Sequence, residues 1–114
     1  MRPVGTFCLL AAMIAGALLF VRPPRSSATP EEHSREVKID NFSFGPQTVT
    51  VDRGTTVEWV NHDDIPHAVA ADDRSFKSRV LDTDEKYSHK FDRPGSYPYF
   101  CSLHPKMTGK IVVR

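Results

Sequence analysis

Tyr99-Phe100-Cys101-Ser102-Leu103-His104-Pro105-Lys106-Met107 places a thiol, an imidazole and a thioether at three-residue intervals near the C-terminus. Upstream, Pro66-His67 offers a second imidazole inside a strand-like segment. Two imidazole nitrogens, one thiolate and a weak thioether form the donor set that suits copper passing between its two oxidation states. A metal with every position filled by protein has an electron to trade and no open place for a substrate.

Each donor has a plainer reading beside this one. On its own residues, Cys101 reads equally as a buried core cysteine, a common fate of free thiols. A lone histidine in a strand, such as His67, is usually a surface or satisfied residue. His104 and Met107 change the weighting for Cys101. Cys-x-x-His-x-x-Met is too short to leave a sheet and rejoin it, so the sequence predicts one compact loop between the Cys101 strand and a strand at Gly109. A loop curling through a turn every three residues points positions 101, 104 and 107 into one volume. Pro105 stiffens the backbone just after His104.

Outward from this run, the chain from Glu36 onward alternates apolar and polar residues between turn signals. Val37 and Ile39 alternate with Lys38 and Asp40, with Phe42 and Phe44 following before the Gly45-Pro46 break. Thr48-Val49-Thr50-Val51 ends at the tight-turn signal Asp52-Arg53-Gly54. In the next strand Thr55, Val57, Trp59 and Asn61 share one face, and after Pro66 His67 and Val69 share another. Residues 72–85 are charged and irregular, with room for one short strand near Phe76 and a solvated acidic edge at 82–85. Further strands cover 87–91, 96–101 and 109–113. Tyr97 sits where a tyrosine corner ties off a sandwich strand. No sustained helical period occurs outside the first stretch. About eight short strands bounded by Gly, Pro or Asp predict an all-β, antiparallel sandwich with Greek-key connections.

The first stretch is different in kind. Residues 4–21 are 18 uncharged residues rich in Leu and Ala, preceded by Met1-Arg2. That is the pattern of an export signal, with Ser26-x-Ala28 as a cleavage site. The run is also just long enough for an uncleaved membrane anchor. Residues 1–28 are therefore assigned to a signal peptide or anchor, 29–35 to a polar linker, and 36–114 to the folded domain. The domain's setting is then periplasmic or otherwise exported, at a membrane only if the leader stays. Without residues 1–28 the chain has 86 residues and a net charge of −2. One small domain of that charge, without a basic stripe, is not a nucleic-acid binder. Cys101 is its single cysteine. A lone thiol in an oxidising compartment needs protection, and metal ligation provides it.

Residues 57–69 (Val57-Glu58-Trp59-Val60-Asn61-His62-Asp63-Asp64-Ile65-Pro66-His67-Ala68-Val69) and 95–113 (from Gly95-Ser96-Tyr97 through Cys101, His104 and Met107 to Val113) resemble the two signature stretches of the cupredoxins. The two-residue gaps on either side of His104 are most similar to the amicyanin branch. This resemblance spans about residues 35–114. It implies an eight-stranded sandwich, a type 1 copper site with His67, Cys101 and His104 as equatorial ligands and Met107 as the long axial one, and single-electron transfer without catalysis. It also implies redox partners of the kind amicyanins serve, a periplasmic dehydrogenase and a c-type cytochrome; a monomer is expected. Two positions depart from that branch. Ala68 stands where an Asn normally braces the loop after the Cys, a change that bears on stiffness and potential. Lys106 stands where an aromatic residue is usual, adding a positive charge that favours an acidic partner.

Other chemistries are weaker. Copper delivery or storage would use similar soft donors but expose them for exchange. A Cys101–His104 hydrolase lacks an orienting third group. Zinc would accept Cys and His, but Met is a poor zinc ligand. His33, His89 and His62 are expected to be non-ligands, and Asn61 to brace the loop before His67.

Overall fold

The computed structural model describes residues 33–114 together with Gly5 and Gly16. The expected leader (1–28) and most of the linker otherwise lie outside the described residues. Eight strands follow in order: β1 (Ser34–Asp40), β2 (Ser43–Gly45), β3 (Thr48–Val51), β4 (Thr55–Asn61), β5 (Ala70–Ala71), β6 (Lys86–Phe91), β7 (Gly95–Cys101) and β8 (His104–Val113). They form two four-stranded sheets, ordered β2-β1-β4-β6 and β3-β8-β7-β5. This is the expected all-β sandwich.

Two features of the expected topology are corrected. The sheets are mixed, because β1 runs parallel to β4 and β3 parallel to β8. Parallel neighbours need a crossover, and the chain supplies it by switching sheets between β2 and β3. The run from Val37 to Phe44 is not continuous. It folds back at Asn41–Phe42 into a hairpin, with Asp40 opposite Ser43. Alternation alone cannot reveal that turn, since it contains neither Gly nor Pro.

Period-two patterning explains the core. Val37 and Ile39 of β1, and Val57 and Trp59 of β4, are fully buried. They face Tyr99, Cys101, Ile111 and Val113 of the opposite sheet in one cluster. Burying such side chains contributes roughly 1.5–3 kcal/mol each. Trp59 lies at the centre, stacked on Phe76 and Tyr87 and edge-on to Tyr99. Gly54, with φ +89°, turns the chain between β3 and β4, where the Thr55 amide closes onto the Asp52 carbonyl. The Tyr97 hydroxyl donates to the Arg93 carbonyl at 2.8 Å, the expected tyrosine corner.

Candidate metal centre

Cys101 is the last residue of β7, and Ser102–Leu103 form a two-residue turn before β8 begins at His104. The segment 101–107 is thus a hairpin rather than the curled loop expected from spacing. Phe100 pairs with Thr108, but the next pair is Cys101 with His104. Residues 105–107 are therefore extra on β8, and this bulge re-aims the strand. It lets His104 turn toward Cys101 while Met107 returns to the buried face, in the same core cluster as Cys101.

His67 reaches the same place from the other end of the chain. Its amide donates to the Leu81 carbonyl at 3.0 Å, and the Leu81 amide returns a bond of 2.7 Å. Ser78 continues the clamp, its hydroxyl accepting from the Val69 amide at 2.8 Å. Asn61, fully buried, donates to the carbonyls of Ile65 and Leu81 and accepts from the Asp63 amide. It braces the 61–67 loop, as expected.

The three donor atoms converge. Sγ of Cys101 is 3.7 Å from Nδ1 of His67, 34 residues away, and 3.7 Å from Nδ1 of His104. All three lie within 4.8 Å of one another; His67 and Cys101 are buried and His104 half-exposed. Metal bonds of roughly 2.0–2.3 Å meeting near 120° would separate N from S by about 3.8 Å. The cluster fits one ion of a metal that takes both nitrogen and soft sulfur, copper above all. The Ala68 amide points at Sγ from 3.3 Å. Position 68 therefore touches the sulfur through its backbone, although its methyl group offers no hydrogen bond with which to brace the loop.

Asp63 was not among the expected site residues. Its Oδ2 sits 2.7 Å from Nε2 of His67, and its two oxygens accept the amides of Asn41 (2.7 Å) and Phe42 (3.0 Å). Burial alone would raise the Asp63 pKa, but the Phe42 amide, the His67 ring and the Asn41 amide together hold it below the ordinary carboxylate value. An Asp four residues before a His is the only sequence trace of this pair. Phe42 was read as part of a strand, yet its ring lies edge-on to both His67 and His104, at 5.6 and 5.2 Å between centroids.

His62 is exposed and outside the donor cluster. His89 packs against Phe76 and Phe91 and is not part of the cluster. Near His104 the apolar side chains of Phe42 and Leu103 are 55% and 45% exposed, and Pro105 and Lys106 are exposed next to it along the chain.

The cupredoxin-like domain family matches residues 10–113. Amicyanin-alpha of Methylorubrum extorquens is 34% identical over 115 residues, covering 96% of this chain and 92% of that protein. Among solved structures, the oxidized state of a single-site amicyanin mutant superposes with a TM-score of 0.68 at 30% identity, over 73% of this chain and 84% of that one. A purple cupredoxin from Nitrosopumilus maritimus gives a TM-score of 0.67 at 30% identity, over 69% and 98%. A Cys–His–His cluster at one end of a mixed eight-stranded sandwich, and a family match across nearly the whole domain, lead to one conclusion: this chain belongs to the cupredoxin-like family.

Proposed function

We propose that the protein is a small blue copper electron carrier in which His67, Cys101, His104 and Met107 would hold the ion. The observation that carries this reading is the convergence of two imidazole Nδ1 atoms on one buried sulfur, each at 3.7 Å. When bound there, copper supplies reversible one-electron chemistry. The protein's own residues supply the rest. Asp63 accepts from Nε2 of His67, which leaves Nδ1 as a lone pair aimed at the centre. Backbone bonds to Leu81 and the Asn61 network keep that ring in place, so little has to move as the charge at the centre changes. The half-exposed His104, ringed by Phe42, Leu103 and Pro105, offers the edge nearest to solvent and to a partner.

Relatives named amicyanin support redox proteins as partners. A dehydrogenase and a c-type cytochrome are the kinds expected, with Lys106 favouring an acidic docking face. Residues 1–28 are assigned to an export signal or anchor, residues 29–35 to a linker whose last two residues, Ser34 and Arg35, already pair in β1, and 36–114 to the copper domain, working as a monomer in the periplasm or another exported setting, at a membrane only if the leader stays. A delivery or storage protein is the alternative; the burial of His67 and Cys101 argues for retention over exchange.

Adding copper(II) to the purified chain should produce an intense visible band that a mild reductant bleaches reversibly. Cys101→Ser should abolish it. Retention of the band would remove Cys101 from the donor set, and rapid metal loss to a chelator would favour delivery.

A further inference from the structure

We propose that Phe42 is a positioning residue for both imidazoles: the turn Asn41–Phe42 presses its ring against His67 and His104 and keeps His104 from swinging out of the donor cluster. The proposal rests on the reading of these histidines as copper ligands.

The turn carries a conformational cost that its own folding does not require. A two-residue hairpin with positive φ at both positions is normally made by Asn-Gly. Here φ is +50° at Asn41 and +55° at Phe42, so an aromatic residue occupies the left-handed conformation that glycine adopts freely. Nor is the ring kept for the core, because Phe42 remains 55% exposed. Strain that is retained without a packing reason points to the contacts it enables. Those contacts are specific. The Phe42 ring meets His67 at an interplanar angle of 90° and His104 at 84°, the edge-to-face arrangement that aromatic rings prefer.

The same turn reaches His67 by a second route. Its two amides fix the Asp63 carboxylate that accepts from Nε2 of His67. His67 thus has backbone bonds, a carboxylate and a ring around it. His104 sits on a bulged strand end, where the rings of Phe42 and, at 5.1 Å, His67 lie against it. Removing the Phe42 ring takes one of those two ring contacts away.

Phe42→Gly and Phe42→Tyr test this in the full chain loaded with copper. Three quantities are read: the visible band, the rate of copper(I) loss to a competing chelator, and the melting temperature of each protein without metal. Glycine fits the turn, so Phe42→Gly should melt no lower than the parent when metal-free. It should nevertheless release copper(I) about tenfold faster, the scale of a lost pair of aromatic contacts. Phe42→Tyr should release copper at the parental rate. A Phe42→Gly protein with the parental release rate overturns the proposal. So does faster release accompanied by an equal loss of metal-free stability that Phe42→Tyr does not restore, since that is a merely structural role. Absence of the visible band in the parent would overturn the copper reading itself, and this proposal with it.

Discussion

Nε2 of His67 lies 2.7 Å from Oδ2 of Asp63, four residues earlier, while Nδ1 of the same ring faces the Cys101 sulfur at 3.7 Å. The carboxylate thereby decides which nitrogen carries the proton. An imidazole with Nε2–H held in this way presents a fixed, unprotonated Nδ1 to a metal.

Replacing Asp63 with Ala removes that control and leaves the Asn41 and Phe42 amides without their acceptor. Copper affinity, measured by competition with a chelator, is expected to fall about 10- to 100-fold. Undiminished affinity would mean that the backbone clamp at Leu81 holds the ring by itself.

Gly109 of β8 faces Tyr99 of β7, and a Cβ at position 109 would lie 2.9 Å from a Tyr99 ring carbon and closer still to the ring's hydroxyl end. The Tyr99 ring is enclosed by Phe44, Trp59 and Phe76 and has little room to yield. Gly109→Ala is therefore expected to destabilise the domain by about 1–3 kcal/mol in denaturant titrations. A change within experimental error would show that the ring can shift after all.

His89 packs between Phe76 and Phe91, at 4.9 and 4.8 Å between ring centroids. Burial lowers its pKa below the ordinary imidazole value, with Asp92 opposing the shift. The folded state then binds fewer protons here than the unfolded chain, so stability rises with pH. The contribution is fully present well above pH ~6.5 and is lost as pH falls through that value toward the lower folded pKa. In the metal-free protein, His89→Gln should flatten the stability profile across this window. Identical slopes for parent and variant would exclude His89 as the cause.

Lys106 is exposed two residues from His104. If electrons leave through that edge, Lys106→Glu should slow oxidation of the reduced protein by an anionic complex such as hexacyanoferrate(III) several-fold at low salt. Oxidation by a cationic cobalt(III) complex should quicken in return, and both effects should shrink at high salt. Rates indifferent to this reversal of charge would place the exit elsewhere.

Much of this architecture was legible from residue order because strands advertise themselves. The alternation of Thr55, Val57, Trp59 and Asn61 marked the buried face of β4, and Asp52-Arg53-Gly54 marked the turn before it. Tyr97 was recognisable as a corner residue from its place after Gly95. The hairpin at Asn41–Phe42 was hidden because a positive φ at Phe runs against the local propensity by which a turn is read from sequence. The parallel pairing of β1 with β4 was hidden for a related reason: alternation specifies which face is buried, not which neighbour lies alongside.

Residue order by itself named the candidate donors and the short span that joins three of them, since Cys101, His104 and Met107 are tied together by covalent geometry. Only the folded sheets decided that His67 would complete the cluster, that Asp63 would orient it, and that 105–107 would bulge rather than curl. Contacts across 34 residues depend on strand register and sheet packing, and those are settled by the whole core closing at once.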